Sequence, residues 1–142
     1  MTDKDICFRI TDDGDERDIQ DIFEMLKAFN LSNREESKNV PLGIFYEDAQ
    51  GKKLAGLTGE TFGNWLCIHY LFVEEHMRKE GVGSKLLLAA EEEARNRGCK
   101  YAFVDTFSFQ APDFYTKHGY NEVFTLNDYP YTGKRFYYTK EL

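Results

Sequence analysis

The chain has 142 residues, 42% of them hydrophobic and 15% aromatic, enough for a single domain built on one core and too apolar for a disordered segment. Its formal net charge of −7 argues against a broad nucleic-acid surface, so a polyanionic ligand must be held by a local cluster of cations. No apolar run approaches the roughly 18 residues that span a bilayer, and the polar start Met1-Thr2-Asp3-Lys4-Asp5 lacks the apolar stretch of a secretory signal. The reading is a soluble cytoplasmic protein with no membrane partner.

Residues 5–11 read as an opening strand, and residues 12–15 as a turn able to cap a helix. Ile19, Ile22, Phe23 and Leu26 then recur at i, i+3, i+4 and i+7, the spacing of one apolar helical face. From 30 to 39 the sequence turns polar, which predicts a mobile connection. Residues 43–47 and 53–60 are strand-like runs around a turn at 48–51, an antiparallel hairpin. After a second turn at 62–64, Trp65–Val73 is almost continuously apolar and predicts a central strand. A helix follows over about 84–97, with Leu87, Ala90 and Ala94 inward, Leu86 flanking, and the pairs Glu91–Arg95 and Glu93–Arg97 on wetter faces. Gly98 ends it.

Residues 101–106 form a further strand, parallel to Trp65–Val73 because a helix crosses between them. Residues 110–118 make a short helix with Pro112 in its first turn and Gly119 at its end, and 120–124 with 134–139 close the chain as antiparallel strands. The connection 127–133 has the composition of a lid. Tyr129, Tyr131, Phe136, Tyr137 and Tyr138 either line a pocket or pack in the core or at a homodimer interface, packing being the default. Cys7, Cys67 and Cys99 are spaced for neither disulfides nor a zinc site and read as reduced, buried thiols. No repeat or linker divides the chain, so 1–142 reads as one domain with no metal.

The most informative stretch runs from the end of the central strand, Leu71-Phe72-Val73, through Arg78-Lys79-Glu80-Gly81-Val82-Gly83-Ser84 into the next helix. Glycines at 81 and 83 let the backbone approach a ligand closely. The first helical amides have no partner inside the helix and sit at its positive end, so with Arg78, Lys79 and Lys85 nearby they make a pyrophosphate site. A Walker loop is excluded, because Gly83 is followed by Ser84-Lys85 in the wrong order. A dinucleotide fingerprint is excluded because its third glycine is Leu86.

What remains, Arg78-x-x-Gly81-x-Gly83 after a strand ending Leu-x-Val, resembles the acetyl-coenzyme A loop of the GNAT N-acetyltransferase superfamily. A second segment, Ala111-Pro112-Asp113-Phe114-Tyr115-Thr116-Lys117-His118-Gly119-Tyr120, resembles that family's Ala-x-x-Phe/Leu-Tyr-x-Lys-x-Gly-Phe/Tyr motif. The string from Asp105 to Ala111 also resembles a subgroup of small bacterial GNAT proteins, which names no acceptor. The resemblance implies an α+β GNAT fold: a mixed, mostly antiparallel sheet of about six to seven strands flanked by helices, with a splayed strand pair holding the cofactor. It implies that Leu71, Phe72 and Val73 face the pantetheine arm, that Arg78, Lys79, Glu80, Gly81, Val82, Gly83 and Ser84 hold the pyrophosphate, and that Tyr115 protonates the departing thiolate. Where many relatives carry asparagine, this chain has Ser108, a shorter candidate cofactor contact.

Acetyl transfer to an amine also needs a proton acceptor. Glu60, on the strand before the central one, is the leading candidate, ahead of His69 within the central strand and Glu74 after it. The expected function is transfer of an acetyl group from acetyl-CoA to a primary amine of a small molecule or peptide, in a ternary complex. The polar connection at 30–39 would border the acceptor. The alternatives are an acyl-CoA sensing module that keeps the loop without a working acid and base, and a nucleotide-binding regulatory domain, which the missing phosphate-loop patterns disfavour.

Overall fold

The structure is a computed structural model, of which residues 6–35 and 38–142 are described. The chain divides into two compact units, Met1–Glu36 and Ser37–Leu142.

In the first unit the expected opening strand is absent: residues 6–11 are irregular, and Asp5 lies outside the described residues. Alternation of Ile6, Phe8 and Ile10 marks a face but supplies no neighbouring strand, and a strand without a ladder leaves its backbone groups unpaired. The turn does cap a helix. Asp15 accepts from the Arg17 amide at 2.8 Å at the start of α1 (Glu16–Asn33), and Arg9 reaches both oxygens of Asp18 at 3.0 Å. α1 extends into the stretch read as a connection, and there Ser32 and Asn33 donate back to the carbonyls of Ala28 and Phe29, one turn earlier. Residues 36 and 37 of that stretch lie outside the described residues.

The second unit is an open six-stranded sheet: β1 (Asn39–Glu47), β2 (Lys53–Phe62), β3 (Trp65–Val73), β4 (Tyr101–Phe107), β5 (Asn121–Asn127) and β6 (Lys134–Glu141), in the order β1-β2-β3-β4-β6-β5. β1 and β2 form the predicted hairpin, its turn closed by the Asp48 carboxylate, which accepts from the amides of Gln50 and Lys52 at 2.8 and 2.9 Å. Only the β3–β4 pairing is parallel, as the crossover through α2 (Val82–Asn96) requires. α3 (Pro112–Lys117) follows β4, with proline in its first turn.

α2 lies on the sheet through Leu86, Leu87, Ala90 and Ala94, which meet Leu57, Leu66, Ala102 and Val104 in the core. Glu91 departs from the expected pattern. It has no exposed surface, and its partners are Tyr120 and Lys140, not Arg95, which pairs instead with Glu92. Arg97–Glu93 forms as expected, at 3.5 Å. All three cysteines are free: Cys99 is buried and Cys67 half-buried, whereas Cys7 is exposed and does not pack as expected.

Candidate active site

The site begins with a defect in the sheet. Thr58 pairs with Tyr70 but Gly59 pairs with Ile68, so His69 is an extra residue in β3, a bulge that bends the strand. Glycine is required opposite it, because a Cβ at position 59 would collide with the Cys67 carbonyl oxygen. β3 and β4 pair at Trp65↔Tyr101, Leu66↔Ala102 and Cys67↔Phe103 only. Beyond those pairs the two strands part.

The gap is a cavity of about 690 Å³, lined by the end of β3, the following loop, the start of α2, the end of β4 and α3. Leu71, Phe72 and Val73 form one wall, and Arg78, Lys79, Gly81, Val82, Gly83 and Ser84 form its loop end. Arg78 is anchored rather than free: its Nε donates to the Val73 carbonyl at 2.9 Å, and its guanidinium lies 5.5 Å from the Phe72 ring centre. Gly81 caps α2 with φ of 77°, a left-handed conformation that favours glycine. The first intrahelical bond runs from the Lys85 amide to the Gly81 carbonyl at 3.1 Å, so the amides of Val82, Gly83 and Ser84 precede the ladder. Those amides, with Arg78 and Lys79 beside them, suit a diphosphate, and the channel behind them suits a slender chain. Glu80 does not line the cavity.

At the other end stands Tyr115, placed by the first turns of α3 and packed edge-on to Phe114 and Tyr120. Its side chain is buried and lines the cavity. Its hydroxyl has no hydrogen bond among the described residues, yet no buried polar side-chain atom there lacks a partner, so the hydroxyl reaches open space. Burial, with the nearby Asp105 carboxylate adding to it, pushes the phenol up to about 12, which keeps it protonated at neutral pH.

Asp105 and Gln110 also line the cavity, and the sequence reading assigned neither a role. Arg135 holds Oδ2 of Asp105 through Nη2 at 2.7 Å and Nε at 2.8 Å, and donates to the Tyr129 hydroxyl at 3.0 Å. The Gln110 Oε1 accepts from the Thr106 hydroxyl and the Phe107 amide, which fixes the turn from β4 into α3. No short-range pattern marks Asp105, because it and Arg135 meet only through the β4–β6 pairing. Ser108 does not line the cavity; its hydroxyl accepts from the Lys134 amide at 3.0 Å, tying the end of β4 to the start of β6. Glu60 does not line the cavity either, while His69 does. The Glu60 carboxylate lies 3.8 Å from His69 Nε2.

Residues 9–120 match the model of the GNAT acetyltransferase family. The chain belongs to that family. It is 37% identical over 119 residues to the acetyltransferase Atu2258 of Agrobacterium fabrum, covering 84% of this chain and 87% of that one. It is 39% identical over 94 residues to the blasticidin-S acetyltransferase of Streptomyces morookaense, covering 63% and 69%. A crystal structure from Agrobacterium tumefaciens described as an acetyltransferase superimposes with a TM-score of 0.91 at 33% identity, over 96% of this chain and all of that one. The fold is thus the GNAT acyl-CoA N-acyltransferase fold, and the protein is an acetyl-CoA-dependent acetyltransferase. Among the described residues of this GNAT protein no helix is long and apolar enough to cross a membrane, and no three potential metal ligands cluster.

Proposed function

We propose that this GNAT protein transfers an acetyl group from acetyl-CoA to a primary amine of a small molecule, by direct attack in a ternary complex. The observation that carries the reading is the single cavity joining the unpaired amides at the start of α2 to the Tyr115 hydroxyl through the gap between β3 and β4. In this reading the amides of residues 82–84 and the cations Arg78 and Lys79 bind the diphosphate. The backbone edge of Leu71–Val73 that β4 does not cover aligns the pantetheine arm, and the thioester lies beside Tyr115.

A phenol near 12 is a weaker acid than a thiol, whose ordinary range lies near 8.5. Tyr115 therefore acts mainly as a hydrogen-bond donor to the sulfur as the C–S bond breaks. Its proton follows only as far as the thiolate's basicity draws it. Glu60 lies off the cavity wall, so the proton released by the amine passes first to a group on that wall.

The blasticidin-S acetyltransferase relative supports a small-molecule acceptor. The family match begins in the first compact unit and ends in the second, which supports reading both as one domain. Free cysteines, one of them exposed, support a reducing compartment and hence the cytoplasm. The test is thiol release from acetyl-CoA with blasticidin S and a panel of primary amines, followed by mass detection of the acetylated product. Tight acetyl-CoA binding without thiol release would instead favour a sensing module.

A further inference from the structure

We infer that His69 is the base that takes the proton from the acceptor amine, and that Glu60 is its positioning residue. The inference rests on the acetyl-transfer reading and goes beyond it by naming the group that touches the amine. Glu60 and Cys67 are partners across β2 and β3, whereas His69 is the residue the bulge leaves without a partner, and it alone of the pair Glu60–His69 lines the cavity. The defect that parts β3 from β4 therefore also delivers an imidazole to the slot where the thioester lies.

The imidazole is not held by hydrophobic packing. Its side chain is 49% exposed, against 31% for Glu60, and its ring centre is 6.5 Å from that of Tyr70. The contact with Glu60 is at ion-pair distance, too long for a hydrogen bond, and catalytic contacts of this kind commonly tighten once substrate is bound. Because Nε2 is the nitrogen beside the carboxylate, Glu60 favours the tautomer with its proton on Nε2. Nδ1 is then left as the acceptor, the same logic by which a carboxylate orients a catalytic histidine elsewhere.

The step balances. The neutral amine nitrogen attacks the thioester carbonyl carbon, the C–N bond forms and the C–S bond breaks. The nitrogen's proton passes to His69 Nδ1 and from there to solvent. The thiolate leaves with a hydrogen bond from Tyr115 and takes a proton from it or from water. The other charged or titratable groups lining the same cavity are Tyr70 on the strand of His69, Asp105 on β4, Tyr115 on α3, and Arg78 and Lys79 in the loop. Asp105 is the rival base, but Arg135 already occupies one of its oxygens.

The test compares wild type with His69→Gln, His69→Ala, Glu60→Gln, Glu60→Asp and Asp105→Asn, over a range of acetyl-CoA concentrations up to saturation, with blasticidin S, benzylamine and spermidine as probe acceptors. Expected is a fall in kcat of about 100-fold for His69→Gln with the KM for acetyl-CoA unchanged, and at least about tenfold recovery of His69→Ala by added imidazole. Any fall in rate toward acid pH that the wild-type profile shows should be absent from His69→Gln. Glu60→Gln should lower kcat less, with Glu60→Asp restoring part of it. Nitrogen-15 spectra of His69 should show the proton on Nε2 in wild type and a mixture of tautomers in Glu60→Gln. A His69→Gln enzyme within about threefold of wild type, well short of the usual effect of losing a base, overturns the inference. So does an acid limb that survives in His69→Gln but is lost in Glu60→Gln or Asp105→Asn. If wild type releases no coenzyme A with any probe, the acetyl-transfer reading fails on those acceptors. The spectra still judge the pair, and tautomers equally mixed in wild type and Glu60→Gln overturn it.

Discussion

Lys140 Nζ lies 3.0 Å from Oε1 and 3.1 Å from Oε2 of Glu91, a carboxylate with no exposed surface, and the Tyr120 hydroxyl donates to Oε2 at 2.8 Å. The contact locks α2, whose first turn lines the loop end of the cavity, to β6 at the far side of the sheet. Removing the cation leaves a desolvated charge behind. Lys140→Met should therefore destabilise the protein by about 3–5 kcal/mol, read as a shift in the midpoint of chemical denaturation. Glu91→Gln should do less harm, because the Lys140 side chain is still 19% exposed and water can reach its ammonium.

That pair also shows where sequence reasoning ran out. Glu91 follows Ala90 on a helix rich in i, i+4 charge pairs, so Arg95 looked like its partner, while the real one stands 49 positions away. Patterns that depend on neighbours along the chain were legible: the β1–β2 hairpin, the span of β3, the glycine loop and the proline-led start of α3. Patterns that depend on register across the sheet were not. A bulge in β3 is implied by the family resemblance, but its position at His69, the Asp105–Arg135 contact and the engagement of Ser108 by Lys134 all arise from how strands align. The alternation in residues 6–11 misled for the same reason, because it reports a face and not a neighbour.

Tyr115 separates binding from chemistry. Tyr115→Phe keeps the ring packed against Phe114 and Tyr120 and removes only the hydroxyl that reaches the cavity. Turnover should fall by more than about tenfold, with acetyl-CoA affinity by calorimetry nearly unchanged. Equal turnover would return Tyr115 to a packing role.

Position 83 tests where the diphosphate sits. A Cβ built on Gly83 meets Phe114 at 3.5 Å and Val73 at 3.8 Å, both ordinary contacts, so Gly83→Ala should fold and bind acetyl-CoA. Gly83→Trp would fill the cavity beside the orphan amides and should abolish binding while leaving the denaturation midpoint close to that of the alanine variant. Unchanged affinity in the tryptophan variant would move the cofactor elsewhere.

Gly59 tests the origin of the gap itself. Any side chain there meets the Cys67 carbonyl oxygen, a backbone atom that cannot swing aside, so Gly59→Ala must push β2 from β3 at the bulge. A stability loss of roughly 1–3 kcal/mol is expected, typical of overpacking, together with a fall in turnover from displacement of His69. Val40→Ala, on the outer strand of the hairpin and away from the cavity, is the comparison that controls for hairpin stability alone.

Alkaline stability follows from the sign of the Tyr115 shift. Its folded value of about 12 lies above the ordinary 10, so the native state holds a proton that the unfolded chain releases first. The contribution is fully present below pH 10 and is lost as pH rises through 12. Two units correspond to roughly 2–3 kcal/mol. Tyr120, buried and hydrogen-bonded to Glu91, is also raised and adds in the same direction. Denaturation midpoints measured from pH 9 to 12 should fall steeply in wild type and less steeply in Tyr115→Phe, since the variant has one fewer proton to lose on unfolding. Parallel curves would mean that the phenol titrates alike in both states and that solvent reaches it far more freely than its packing among Phe114, Tyr120 and Tyr138 implies.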